Sequence, residues 1–154
     1  PLRQPAATRL CWPGHGLNRK QNISCGDWFV DTTEGGASVM DAEEYSSWYC
    51  AAFPDGDYDG SERIYYFTHP GSGTVNIELN SPCSELDLIV FQWEYWASDG
   101  TCPNDGHSIA ACDMAKGGSG GSLDVWDNSD SHYMIIVDGP DPVEDLFELG
   151  VTCP

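Results

Sequence analysis

The segment whose residue types and spacing best suit chemistry is Asp55-Gly56-Asp57-Tyr58-Asp59-Gly60, followed by Ser61 and Glu62. Calcium takes about six to eight hard oxygens, and carboxylates at alternate positions around a glycine-permitted turn can converge on one ion. The run matches the first half of an EF-hand loop. Its twelfth position, however, is Tyr66 where a bidentate Glu is required, and the residues around it read as a strand, so an EF-hand is excluded. What stays is a different calcium loop, with Asp55, Asp57 and Asp59 completed by Glu62 or by distant acids. The plainer alternative is a solvated acidic turn ahead of a strand. Asp124, Asp127 and Asp130 form a looser cluster of the same kind.

Other reactive patterns lead nowhere catalytic. Gly117-Gly118-Ser119-Gly120-Gly121 fits the spacing of a nucleophile elbow, but that motif needs a buried strand before the Ser and a helix after it. Met114-Ala115-Lys116 and Leu123-Asp124-Val125-Trp126 supply neither, so a flexible Gly/Ser loop is expected. His15, His69, His107 and His132 are scattered and no two have metal-ligand spacing. With 25 acids, choosing a glycosidase pair would be arbitrary. No enzyme activity is expected. Six tryptophans and seven tyrosines point instead to packing or to stacking on sugar rings. Trp93, Tyr95 and Trp96, with Trp126 and Trp48, are the candidates for such a platform, and Trp12 and Trp96 lie in loop-like sequence.

The 154 residues favour one domain with one core. Their formal charge of −19 makes nucleic acid an improbable partner. No apolar run reaches the ~20 residues of a membrane span. Charge is divided unevenly. Residues 1–20 hold Arg3, Arg9, Arg19 and Lys20 and no acid, while the rest of the chain holds all 25 acids against Arg63 and Lys116 alone. The first twenty also contain Pro1, Pro5, Pro13, Gly14 and Gly16 without any period. A basic, irregular arm over 1–24 joined to an acidic body over 25–154 is therefore expected. Leu10, Cys11 and Trp12 would be costly to leave exposed, so the arm should dock on an acidic surface, its own or a neighbouring copy's.

Seven cysteines without a Cys-x-x-Cys pair indicate disulfides in an oxidising compartment rather than zinc. The odd count leaves one thiol free or linked to another chain. With no initiator Met and no leader, the chain is expected to be mature, and Asn22-Ile23-Ser24 is a glycosylation sequon placing a glycan on Asn22.

The elements that must position these residues are strands. Ile64, Tyr66 and Thr68 alternate with Tyr65 and Phe67, and Val75, Ile77 and Leu79 alternate with Asn76 and Glu78, across a turn at His69–Gly73. Trp28–Thr32, Leu86–Tyr95, Leu123–Trp126, Tyr133–Asp138 and Leu146–Thr152 read likewise. Only Asp41–Trp48 looks helical. The pattern predicts an all-β antiparallel sandwich or barrel. Leu86–Tyr95 and Tyr133–Asp138 are apolar on both faces, so something must cover their outer side: a loop of the same chain, the arm, or a second subunit.

Taken in order, several segments resemble the bacterial pre-peptidase C-terminal domain family. They are Cys25-Gly26-Asp27, Asp31-Thr32-Thr33, Tyr49-Cys50, Gly60–Thr68, Leu86–Val90, Tyr133–Gly139 and Phe147–Cys153. The resemblance implies a jelly-roll-like β-sandwich in a secreted protein, non-catalytic and in several members calcium-binding. It also implies bridges Cys102–Cys112 and Cys25–Cys153, with Cys50–Cys83 as the remaining pair and Cys11 unpaired. The sequence itself leaves connectivity open.

The expectation is thus a secreted, extracellular or cell-surface structural or adhesive unit. It would associate with itself, a filament being one form, through Arg3, Arg9, Cys11, Trp12, Arg19 and Lys20 of the arm and the acidic body. The alternative is a monomeric, calcium-dependent accessory module of an exported enzyme system that binds an extracellular glycan or matrix.

Overall fold

Alternating β-branched and aromatic residues between Gly, Pro and Asp breakers produce nine strands among the described residues. The computed structural model describes residues 22–36, 58–93, 109–115 and 120–154. The strands are β1 (Asn22–Ile23), β2 (Trp28–Thr32), β3 (Arg63–His69), β4 (Gly73–Asn80), β5 (Asp87–Trp93), β6 (Ile109–Ala115), β7 (Gly120–Asp127), β8 (Ser131–Asp138) and β9 (Leu146–Thr152). They form a five-stranded sheet of order β1-β3-β8-β5-β6 and a four-stranded sheet of order β2-β9-β4-β7. The protein is an all-β two-sheet sandwich. Among the described strands all pairings are antiparallel except β1 with β3.

Period-2 alternation builds the core. Val75, Ile77 and Leu79 of β4, Phe147, Leu149 and Val151 of β9, and Leu123 of β7 face Tyr65 and Phe67 of β3, Leu88 and Val90 of β5, and Tyr133, Ile135 and Val137 of β8. Full burial of such a side chain stabilises the fold by roughly 1.5–3 kcal/mol relative to leaving it in water. The outer face of the five-stranded sheet is buried in part as well, since Ile89, Met134 and Ile136 are inaccessible in the single chain. At these three positions the second apolar face of β5 and β8 is covered without recourse to another subunit.

The structure departs from the sequence expectation in four places. Asn22 and Ile23 pair with Tyr66 and Phe67, so these residues belong to the sheet rather than to an irregular arm ending at residue 24. Ile109–Ala115 is a strand that its composition conceals, because Ala and Cys carry no β signal and pairing with β5 imposes the conformation. Gly120 and Gly121 are not loop but the start of β7, opposite Asn80 and Leu79. The β1–β3 pair is parallel in a sandwich expected to be antiparallel. The helix expected at Asp41–Trp48 lies outside the described residues, as does Ser119.

Buried polar groups pin the turns. At the β3–β4 turn, which crosses from one sheet to the other, the Gly71 N–H donates to His69 Nδ1 at 2.9 Å, which leaves Nε2 to donate to the Val125 carbonyl at 3.1 Å. His69 is fully buried and ties this crossover turn to β7. Gly71 itself has φ +74°, and a Cβ there would meet the Ser129 backbone at 2.6 Å, so no other residue fits.

Asp127 organises the β7–β8 turn. Its carboxylate accepts from the Asn128 N–H at 2.8 Å, the Ser129 N–H at 3.1 Å and the Tyr133 hydroxyl at 3.0 Å. Burial opposes the charge, but donors from Ser131, Ser129, Tyr133 and Asn128 outweigh it and hold the pKa at about 2. Because the folded value is depressed, this contribution to stability is complete above the ordinary carboxylate pKa and is lost as pH falls through about 2. Replacing Tyr133 by Phe removes one donor and is expected to raise the Asp127 pKa. Carboxyl ¹³C titration by NMR reads this directly, and an unchanged midpoint would show that the turn amides alone set it.

Candidate functional site

The two outer faces of the sandwich differ in kind. Over the five-stranded sheet the outer side chains of Ile89, Met134 and Ile136 are apolar and buried. The outer face of the four-stranded sheet is more polar and more open. Strand register sets out the open face in rows. Trp28, Gly150, Glu78 and Ser122 lie across β2, β9, β4 and β7, and Val30, Glu148, Asn80 and Gly120 form the next row. Thr152, Asn76 and Asp124 follow on the other side, and beyond them Thr74 lies opposite Trp126.

Two large aromatic side chains stand out on this face, Trp28 at 49% exposure and Trp126 at 65%. Trp28 is held in place. A Cβ on Gly150 would come within 1.9 Å of Trp28 Cε3 and 2.3 Å of Cζ3, so the ring lies directly on the Gly150 backbone. Its indole N–H donates to Glu148 Oε1, and the other Glu148 oxygen accepts from Asn80 Nδ2 at 3.4 Å. The underside and edge of the ring are thereby occupied while its upper face meets solvent. Between the tryptophans, Asn76 Nδ2 donates to Ser122 Oγ and to Asp124 Oδ1, both at 2.8 Å. These bonds orient amide and carboxylate groups along the sheet surface.

Of the sugar-stacking candidates from sequence, Trp126 is on this face. Trp48, Tyr95, Trp96 and the Trp93 side chain lie outside the described residues. Trp28 was legible as the first residue of a strand but not as a site residue, because its partner Gly150 is far away in the chain.

Two of the four calcium candidates, Asp55 and Asp57, lie outside the described residues. Asp59 is exposed, and Glu62 is buried at the start of β3. Tyr58, a spacer in that motif, is itself buried, and its hydroxyl donates to Asp87 Oδ2 at 2.9 Å. The described part of the motif is thus fastened to β5. Among the described residues no group of three or more His, Cys, Asp or Glu is placed to hold a metal ion. Asp124 and Asp127 stand apart in function, one bonded to Asn76 on the open face and the other closing a turn.

A disulfide joins Cys25 to Cys153, with their Cα atoms 5.4 Å apart. Cys83 is also disulfide-bonded. Cys50, its expected partner, lies outside the described residues, as do Cys102 and the side chain of Cys112. Asn22 of the sequon is exposed on β1. Arg3, Arg9, Cys11, Trp12, Arg19 and Lys20 of the arm are outside the described residues. Among those described, Arg63 is the only Lys or Arg. Its guanidinium donates to the Thr32 and Glu34 carbonyls, each at 2.7 Å.

No family model matches the chain, and no curated protein matches its sequence. Several solved structures are similar in fold. The pre-peptidase C-terminal domain of a collagenase from Bacillus anthracis is 14% identical, with 90% of this chain and 100% of that one covered and a TM-score of 0.47. A periplasmic inhibitor of g-type lysozyme from Aeromonas hydrophila is 11% identical over 86% of this chain and 97% of its own, with a TM-score of 0.42. A surface-associated copper-binding protein, important in copper acquisition by Methylomicrobium album BG8, is 8% identical over 88% of this chain and 99% of its own, with a TM-score of 0.50. What this last likeness shows is a shared β-sandwich fold.

Proposed function

We propose that this chain is an exported, non-catalytic β-sandwich unit of the pre-peptidase C-terminal type that associates with copies of itself, arm to body. The observation that carries the reading is the separation of charge. Four of the six cations stand in residues 1–20, and the one cation among the described residues, Arg63, is engaged by backbone carbonyls. The body therefore offers an almost purely acidic surface to a basic segment. Disulfide bonding supports export, and the ordered motifs from Cys25 to Cys153 support the family. The covered outer face of β5 and β8 lends nothing to self-association, which rests on charge and on the odd cysteine count.

Light scattering of the full chain at low and high salt tests this. Species larger than the 16.8 kDa monomer are expected at low salt and should shrink as salt screens the attraction. Changing Arg3, Arg9, Arg19 and Lys20 together to Gln should give monomer at every salt. A wild-type chain that is monomeric throughout, or a neutralised arm that still assembles, would overturn the reading.

Calcium belongs to the alternative, a monomeric matrix- or glycan-binding module. The residues proposed to hold it are Asp55, Asp57, Asp59 and Glu62. Asp59 and Glu62 alone supply only part of the six to eight oxygens that calcium takes. A melting temperature that falls on adding a chelator would favour this alternative.

A further inference from the structure

Beyond self-association, we infer that the open outer face of the four-stranded sheet binds a neutral, extended glycan, with Trp28 and Trp126 as its two stacking platforms. The indole face carries negative quadrupole charge and attracts the partly positive C–H hydrogens on the flat side of a pyranose ring. Trp28 is prepared for that contact. Gly150 supports the ring from below, and Glu148, itself bonded to Asn80, holds its N–H edge. A platform fixed in advance loses little side-chain entropy when a ligand settles on it. Covering a strand glycine is also a known way to stabilise a sheet. That role uses only the underside of the ring and leaves its 49% exposure without a purpose.

The second platform makes the site long. Trp126 lies three strands away from Trp28 and four residues along β7 from Ser122, which shares Trp28's row. With strands about 4.8 Å apart and about 3.4 Å per residue, the two tryptophans stand roughly 20 Å apart. That is the reach of an oligosaccharide chain and too long for a single sugar. The ground between them carries Asn76, Glu78, Ser122 and Asp124, whose amide, hydroxyl and carboxylate groups can donate to and accept from sugar hydroxyls. The sign of charge narrows the ligand. Among the described residues Glu78, Asp124 and Glu148 are opposed by no Lys or Arg on this face, so uronate- or sulfate-bearing chains are repelled. A basic peptide, such as the arm of another copy, would also suit an acidic face through cation–π contacts, but the Asn76 amide and Ser122 hydroxyl between the rings match sugar hydroxyls rather than a run of cations.

Titration of the full chain with cellohexaose, xylohexaose and mannohexaose, followed by Trp fluorescence and calorimetry, tests this. Alginate serves as the anionic control and a peptide of residues 1–20 as the competing occupant. At least one neutral hexaose is expected to bind saturably, with alginate inert. Trp126→Ala should weaken binding tenfold or more, and its exposed position keeps folding out of the result. Gly150→Ala, which lifts the Trp28 ring, should do the same. Absence of saturable binding by all three hexaoses, or equal binding by Trp126→Ala, would overturn the inference. So would tryptophan quenching by the arm peptide alone, which would assign the face to self-association. Failure of the salt-dependent assembly leaves this outcome unaffected, so the two readings fail separately.

Discussion

Replacing Cys25 and Cys153 together by Ser is expected to destabilise the sandwich by about 2–5 kcal/mol. The bond links residues 128 apart in sequence, so it joins the entry to the first complete strand with the exit from the last. Breaking it releases nearly the whole described chain from one loop in the unfolded state, and the entropy of that state rises accordingly. Backbone contacts at the same corner offset part of the loss. The Gly26 N–H donates to the Val151 carbonyl at 2.8 Å and the Val151 N–H to the Asp27 carbonyl at 2.9 Å. The Asp27 carboxylate also receives the Ser24 N–H at 2.9 Å. For a domain of this size the expected fall in melting temperature is about 5–15 °C. Urea unfolding of the double variant against wild type measures it. A loss below about 1 kcal/mol would mean that the corner hydrogen bonds close the sandwich unaided.

The same corner shows what could be read from sequence and what could not. β2 and β9 were legible to the residue, because each packs aromatic and β-branched residues between Gly, Asp and Cys boundaries. β4 and β8 were legible from strict alternation and from a doubly apolar run. β1 is two residues long, too short for any period. β6 carries Ala, Cys and Met, whose conformation is dictated by β5 alongside rather than by their own preference. The candidate binding face was half legible. Trp126 could be suspected from its type, but the role of Trp28 depends on a glycine brought beneath it by β2–β9 pairing, a contact with no local trace. The calcium motif was the strongest local signal, yet Tyr58 within it is a buried anchor to Asp87, not a solvated spacer.

A comparable non-local pair lies inside the core, and its removal is the second large effect. Asp31 and Tyr65 are both fully buried, and the Tyr65 hydroxyl donates to Asp31 Oδ2 at 2.7 Å. The other carboxylate oxygen accepts the Thr32 N–H at 2.8 Å. Burial first, and then the bond to Asp31, push the Tyr65 hydroxyl pKa far above its usual value, so it stays a donor at every physiological pH. Phe29 and Phe147 pack on the Tyr65 ring with centroids at 5.5 and 6.4 Å, so Tyr65→Phe keeps the ring contacts and removes only the donor. Its cost is expected to be about 1.5–3 kcal/mol, since a buried carboxylate loses a charge-assisted bond. Asp31→Val should cost a similar amount by stranding the hydroxyl and the Thr32 N–H. Made together, the two changes leave apolar groups facing each other, and the double variant should be more stable than the sum of single losses by about 1–2 kcal/mol. Urea unfolding of the four proteins yields that coupling. Losses that add within about 0.5 kcal/mol would show that the two groups do not act as a unit. Recovery should stay incomplete even so, because the Thr32 N–H keeps its place in β2 and loses its side-chain acceptor in both Asp31 variants.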